Sequence, residues 1–355
     1  MRTSFIRIKT DFIETVRKKL TSFLGLNHRH KVLNDNHELA DVLRQEAVDR
    51  NNGLVSMLRQ ESMDRNNELA SILRREDEQW ADMLRKEVEL LIKDIHQIEN
   101  DAASNLMHTR LLFAKEKWKN LSQAELLPTL LKEIEEFSKY LERFKNLHPH
   151  LYDVWATINF GVNIDEYKDR PISSCSVDGR FNAQLFAGFA APYLQGRILD
   201  IGCGPYAVPS YLEGYPVSCI SGIDPLEPFE THPFEFVHGF AEFLPWQDDS
   251  FDVVIAATSL DHVLSLDLAL SEIRRVLKPG GLLLIWDWFG DEYKPYDPEN
   301  QSPRLLDRFH LFNFNEKWFE ELMGDHFIII EKAHYSGEWR HDYHYCLKLK
   351  AEQNK

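Results

Sequence analysis

Apolar side chains recur every three or four residues through the first 150 residues, which is the spacing of one face of an α-helix. In residues 1–31, eight basic side chains accompany this apolar stripe, against two acidic ones. The segment is therefore predicted to be a basic amphipathic helix. Such a helix suits an anionic membrane surface, and it also suits packing against this protein or a partner subunit.

Residues 32–100 contain a repeat with a period of 15 residues, in which Asp41–Glu46 recurs as Ser56–Glu61 and as Ser71–Glu76. Fifteen residues fill four helical turns at about 3.75 residues per turn. Since a straight helix has 3.6, the apolar seam should drift toward a right-handed or nearly straight coiled coil. A lone helix does not bury so narrow a stripe. The pattern predicts self-association through a long coiled coil, with docking back on the same chain as the alternative.

Glycine and proline become frequent only after residue 150. Two of the 16 glycines and two of the 15 prolines lie before that point. Since both residues disfavour helix interiors, the first part is predicted to be helical, including a helical connector over residues 101–150. Residues 151–355 are predicted to form a compact domain with a helical cap at 151–196. From residue 197, short strands alternate with helices, which is typical of an α/β fold.

Composition narrows the function classes. The chain has 57 acidic and 41 basic residues and a net charge of −16, which argues against a nucleic-acid partner because a phosphate backbone repels it. The four cysteines form no CxxC pair, so no zinc site, other metal site or disulfide framework is predicted. No apolar run reaches the roughly 18 residues of a membrane span. We expect a cytoplasmic protein, free or peripheral at the inner face of the membrane.

A glycine-rich turn marks the predicted ligand site. The apolar run Arg197–Ile201 predicts a buried strand, and Gly202-Cys203-Gly204-Pro205 follows it. A turn of this kind, followed by a helix, lets backbone N–H groups approach a ligand. Asp224 ends the next strand, 20 residues after Gly204, where a carboxylate can accept hydrogen bonds from a ribose diol. The spacing also fits a dinucleotide-binding enzyme, but Asp200 would repel a pyrophosphate and attract a cationic amino-acid group.

Five motifs in order identify a resemblance: LDIGCG at 199–204, GID at 222–224, AEFLPW at 241–246, DDSFDVVIAATSLDHV at 248–263 and EIRRVLKPGG at 272–281. The chain from about residue 200 to 355 resembles the class I S-adenosylmethionine-dependent methyltransferases that act on small molecules. The resemblance implies a Rossmann-like, seven-stranded, doubly wound sheet and S-adenosylmethionine as cofactor. The positions that it implies for cofactor binding are Asp200, Gly202, Cys203, Gly204, Asp224, Pro225, Ala241, Glu242, Thr258 and Ser259.

One position departs from the family pattern. The family often has an acidic residue before the alanine of the AEFLPW motif, where it bonds the adenine amino group. Phe240 occupies that position here. Stacking, or a hydrogen bond to Glu242, is then expected to hold the adenine.

Methyl transfer to a hydroxyl benefits from a base that removes its proton. His262, directly after the fourth predicted strand, is the first candidate, and His310, before a helix predicted at Glu316–Met323, is the second. Asp287, at the end of the fifth strand, is the third. Each histidine has packing or helix capping as its alternative role. Two tryptophans, whose faces suit a sugar ring, are the candidate substrate contacts: Trp246 and Trp288.

The combination of segments suggests a substrate. A membrane-seeking N-terminus, a helical spacer and a methyltransferase domain suit O-methylation of a saccharide in a membrane-associated glycan. The same motifs serve methylation of a lipid, a quinone or another small molecule. A non-enzymatic alternative is a coiled-coil scaffold whose methyltransferase fold binds cofactor weakly, which Phe240 favours. A nicotinamide enzyme is disfavoured by Asp200 and by the Lys278–Gly281 segment.

Overall fold

The computed structural model describes residues 56–57, 60–61, 64, 101–119, 121, 136–169, 181–304, 306–336 and 341–351. The amphipathic helix predicted at 1–31 lies outside the described residues, as does nearly all of the coiled coil predicted at 32–100. Within the repeat, the few described residues are helical. The membrane and self-association predictions therefore stay predictions. The sheet and its flanking helices belong to one compact unit, Lys93–Lys355.

A seven-stranded sheet forms the centre of this unit. Its strands are β1 (Ile198–Ile201), β2 (Ile220–Asp224), β3 (Glu235–His238), β4 (Phe251–Ala257), β5 (Leu277–Phe289), β6 (Phe327–Ser336) and β7 (His341–Leu349). The strand order is β3-β2-β1-β4-β5-β7-β6. Every neighbouring pair is parallel except those made by β7, which runs antiparallel to β5 and β6. The predicted seven-stranded α/β sheet is confirmed.

The central strands are buried because helices cover both faces of the sheet. The α-helices of the described residues are α1 (residues 101–118), α2 (Phe137–Lys145), α3 (Pro149–Thr157), α4 (Ile164–Asp169), α5 (Phe181–Ala190), α6 (Leu266–Val276) and α7 (Glu316–Gly324). Ile198 packs in a core with α1 and α5, whereas its neighbour Leu199 packs in a core with α2, α3, α6 and α7. Within the described residues, no helix combines the length and apolar character that a membrane crossing requires.

The strand order positions a ligand site. It reverses between β1 and β4, so the chain leaves their carboxyl ends in opposite directions. A crevice opens at such a reversal in open α/β sheets, and ligands bind there. The glycine-rich turn after β1 and the Leu260–His262 turn after β4 both lie at this edge.

One predicted element is absent. The sequence led us to expect a helix after the glycine-rich turn, but residues 205–219 form loops and two short 3₁₀ turns, Ser210–Leu212 and Val217–Cys219. Three prolines interrupt this stretch, and each lacks the N–H group that a helix interior needs: Pro205, Pro209 and Pro216. The turn is therefore not the start of an α-helix, and other groups must hold it.

We expect Gly188→Ala to lower the free energy of unfolding by about 1–3 kcal/mol, the usual cost of overpacking. A Cβ on Gly188, in α5, would lie 2.3 Å from both the Cβ and the carbonyl oxygen of Met107 in α1. Urea unfolding followed by circular dichroism measures the change. The matched control is Gly324→Ala in α7, where a Cβ meets nothing within 4 Å. An equal effect of the two substitutions would contradict the close contact of α1 with α5.

Candidate functional site

A cavity of about 250 Å³ lies at the carboxyl ends of β1, β2, β4 and β5. It brings together most of the side chains that the sequence singled out. The predicted residues that line it are Gly202, Asp224, Pro225, Ala241, Glu242, Thr258, Ser259, His262, Asp287, Trp288 and His310. Four predicted residues are not among its lining residues: Asp200, Cys203, Gly204 and Trp246.

Asp224 holds the glycine-rich turn in place. Its Oδ2 accepts a hydrogen bond from the Gly204 N–H at 2.8 Å, and its Oδ1 accepts one from the Leu226 N–H at 2.8 Å. Burial raises the pKa of this carboxyl to about 6, against the opposing effect of the two N–H groups. A carboxylate has about four lone-pair sites, so Asp224 retains the capacity to accept hydrogen bonds from a diol in the cavity.

The turn itself requires glycine at its first position. Gly202 has a φ of +72°, and a Cβ there would lie 2.4 Å from the Cβ of Ser259. The Ser259 hydroxyl donates a hydrogen bond to the Ile201 carbonyl oxygen at 2.7 Å. The ends of β1 and β4 are thus joined directly at the crevice. A side chain larger than glycine would push them apart.

The affinity for S-adenosylhomocysteine should fall as the pH drops through about 6, the raised pKa of Asp224. Protonation turns one acceptor oxygen into a donor, so we expect a loss approaching tenfold per pH unit below that value. Because the raised pKa makes protonation favour the folded state, Asp224 does not itself drive unfolding in this window. Calorimetry from about pH 5 to about pH 8 measures the effect. Asp224→Asn, which does not titrate, should give a flat profile; a sloping one would assign the effect to another group.

Asp200 does not reach the cavity. It is fully buried, and the Tyr211 hydroxyl lies 3.1 Å from its Oδ1 and 3.0 Å from its Oδ2. Burial raises the pKa of this carboxyl well above its ordinary value. The pleat of β1 explains this placement, because consecutive residues of a strand point to opposite faces of the sheet. Asp200 thus faces the layer that contains Tyr211.

Two other predicted contacts also lie away from the cavity. Cys203 is buried against β2, where a Cβ on Gly222 would lie 2.9 Å from its Sγ. Trp246 is fully buried, and its indole N–H donates a hydrogen bond to Glu235 at 3.1 Å. The structure therefore gives Trp246 a packing role and does not bring it to a substrate.

The cavity wall at Phe240 is aromatic. The ring of Phe240 is buried and stacks on Phe144 of α2, with 4.1 Å between centroids and 16° between planes. Glu242 is occupied by the backbone, because its Oε1 accepts hydrogen bonds from the N–H groups of Leu264 at 2.8 Å and Ser265 at 3.1 Å. Burial raises the pKa of Glu242 to about 7. An aromatic surface thus occupies the place where the family often has a carboxylate.

The candidate base residues converge in the same cavity. His310 lies between two carboxylates, with its Nδ1 2.8 Å from Asp307 Oδ1 and its Nε2 3.2 Å from Asp261 Oδ2. His262 Nε2 is 3.7 Å from Asp261 Oδ1, and the two imidazole rings are 5.0 Å apart. Burial lowers the pKa of His262. Burial raises the pKa of Asp287 well above its ordinary value, and the neighbouring Asp261 contributes in the same direction.

Residues 199–285 match the protein family described as "Methyltransferase domain". This match bears out the methyltransferase domain that the sequence predicted for this part of the chain.

Relatives of the methyltransferase domain differ in their acceptors. A fatty-acid O-methyltransferase of Mycolicibacterium smegmatis is 31% identical over 141 residues, which are 37% of this chain and 52% of the relative. A glycine/sarcosine/dimethylglycine N-methyltransferase of Actinopolyspora halophila is 29% identical over 181 residues, 47% of this chain and 31% of the relative. The chain therefore spans about half, or less, of the length of these relatives.

A solved structure also matches part of the chain. The 1,6-didemethyltoxoflavin-N1-methyltransferase of Burkholderia thailandensis, solved with S-adenosylhomocysteine, is 18% identical with a TM-score of 0.39. That match covers 63% of this chain and 94% of the other.

Several cavity residues of the methyltransferase domain were missed by sequence reasoning. The Trp155 indole N–H of α3 donates a hydrogen bond to the His262 carbonyl oxygen at 2.6 Å. The segment after Trp155 contributes further lining residues: Asn159, Asn163, Glu166 and Tyr167. Trp155 lies about a hundred positions before His262, and only folding brings the two together. Asp261 was also missed, although it directly precedes a candidate base.

Proposed function

We propose that the whole chain is an S-adenosylmethionine-dependent methyltransferase that transfers the methyl group to a hydroxyl of a small acceptor, with a saccharide as the leading substrate class. One observation carries this proposal: a single cavity is lined both by Asp224 and by the cluster of Asp261, His262 and His310. The cofactor supplies an electrophilic methyl group when it is bound. The chain supplies the binding, the alignment and the proton acceptor.

Each part of the cavity has a role in this proposal. Asp224 accepts the hydrogen bonds of the ribose hydroxyls, and the ring of Phe240 provides the apolar contact for the adenine. Gly202 permits close approach at the end of β1. His262 receives the hydroxyl proton while the oxygen forms a bond to the methyl carbon and the carbon–sulfur bond breaks. Asp287 lies beside this cluster as a second proton acceptor.

The acceptor class rests on the walls near the reactive cluster. Trp288 follows the buried part of β5 and lines the cavity, and an indole face stacks well on a sugar. Further aromatic side chains in the cavity lining favour a second candidate, an apolar acceptor such as a fatty acid: Phe144, Trp155 and Phe309. The membrane-associated glycan and the self-associating spacer remain parts of the proposal that rest on the sequence of residues 1–100.

Mass spectrometry of glycans and lipids from cells with and without this protein tests the acceptor. The saccharide proposal expects a glycan species that is about 14 daltons lighter without the protein, the mass of one methylene. The same loss in lipids alone would support the apolar acceptor instead. Purified protein that methylates neither extract would contradict the enzyme proposal, and a failure to bind S-adenosylhomocysteine as well would favour the scaffold.

A further inference from the structure

Three side chains at the reactive end of the cavity present ligand atoms to a common point. Asp261, His262 and His310 each offer an atom that lies within 4.8 Å of the others. Two carboxylate oxygens of Asp261 take part, one 3.2 Å from His310 Nε2 and the other 3.7 Å from His262 Nε2. The side chains of Asp261 and His310 are 3% and 6% exposed. Asp261 and His310 are therefore largely removed from water, unlike acidic clusters on protein surfaces, and the His262 side chain is 22% exposed.

One oxygen of Asp261 and one oxygen of the neighbouring Asp287 lack a hydrogen-bond donor. Asp261 Oδ1 is buried, and no N–H or hydroxyl donor bonds it; Asp287 Oδ2, nearby, is in the same situation. Burying a carboxylate oxygen without a donor is costly. Either a proton shared by the two carboxyls or a cation must offset that cost. The two imidazoles beside Asp261 favour a metal cation, because they add neutral nitrogen ligands to an oxygen ligand.

The orientation of His310 supports the same conclusion. Its Nδ1 lies 2.8 Å and 2.9 Å from the two oxygens of Asp307, while its Nε2 points toward Asp261. Histidines that bind metals usually donate the N–H of the other ring nitrogen to a carboxylate, which sets the tautomer and makes the free nitrogen a better ligand. Asp307 is placed to do this for His310.

We propose that Asp261, His262 and His310 bind one divalent transition-metal ion at the reactive end of the cavity, where the sequence predicted no metal. Mixed imidazole and carboxylate ligands suit first-row metals such as Co²⁺ and Zn²⁺. The ion orients the acceptor hydroxyl and lowers its pKa, a role that rests on the proposed function. With His262 as a ligand, Asp287 is the remaining carboxyl that accepts the proton.

Cobalt binding to the full-length protein tests the site directly. After dialysis against a chelator, Co²⁺ alone should produce visible absorption bands that saturate at one ion per chain, and Zn²⁺ should abolish them. His310→Ala should eliminate the bands. Asp307→Asn, which leaves the three ligands in place, should weaken Co²⁺ binding by about 10- to 100-fold. The matched control is His326→Ala, an exposed histidine outside the cavity, which should bind Co²⁺ like the unchanged protein.

The outcomes separate the metal site from the proposed function. Absent bands, or bands that persist in His310→Ala, would overturn the site and leave the proton shared by Asp261 and Asp287 as the explanation. Retained S-adenosylhomocysteine binding shows that each variant is folded. Full methyl transfer by the chelated protein would overturn the metal's role in the reaction. Normal Co²⁺ binding without methyl transfer to any acceptor would support the site and contradict the proposed function.

Discussion

Asp224→Ala weakens the binding of S-adenosylhomocysteine to the full-length protein by about 10- to 150-fold, as measured by calorimetry. The figure corresponds to 1.5–3 kcal/mol, the typical contribution of hydrogen bonds to a charged group. Asp224 lines the cavity at the end of β2, and its carboxylate also holds the N–H groups of Gly204 and Leu226 at 2.8 Å. The substitution therefore removes both the acceptor for the ribose hydroxyls and the support of the glycine-rich turn.

Two further variants serve as comparisons for Asp224→Ala. Asp224→Asn keeps one acceptor oxygen with almost the same shape, so it should lose less affinity than the alanine variant. Asp252→Asn is the matched control, because this carboxylate pairs with Lys278 and with the Arg197 N–H and does not line the cavity. Unchanged affinity in Asp224→Ala, with the protein folded by circular dichroism, would mean that the crevice does not bind the cofactor through this carboxylate.

His262→Ala lowers the rate of methyl transfer to a hydroxyl acceptor by about 10²- to 10⁴-fold, the usual contribution of a positioned proton acceptor. His262 lines the cavity beside Asp261, and burial lowers the pKa of its imidazole. The substitution removes the group that activates the hydroxyl, whether it receives the proton or binds a metal. A radiolabelled methyl group on the cofactor, counted in the acceptor found by mass spectrometry, measures the rate.

The cofactor affinity of the same variant provides the control. Asp224, and not His262, is the proposed acceptor for the ribose hydroxyls, so S-adenosylhomocysteine should bind within about threefold of the unchanged protein. His326→Ala should leave both the rate and the affinity unchanged. A rate near normal in His262→Ala would exclude this side chain from the reaction and transfer the role of base to Asp287 or His310.

The sequence predicted the site residues that lie at, or directly after, the end of a strand. Gly202 and Asp224 follow directly from the ends of two predicted strands, and both line the cavity. His262 and Asp287 were found in the same way, because the carboxyl ends of parallel strands meet at one edge of the sheet. Asp200 shows the limit of this reasoning: its position in a motif indicated a ligand contact, but the pleat of β1 directs it to Tyr211.

The pattern of apolar runs and turns by itself determined the α/β fold class and the position of the glycine-rich turn after a strand, because periodicity and glycine placement act over a few residues. The count of seven strands came from the family resemblance. Tertiary structure alone decided which side chains meet at the crevice. Trp155 contacts His262, and His310 reaches Asp261 from outside the matched motifs. Such contacts join residues that are distant along the chain, and they depend on how the helices pack on the sheet.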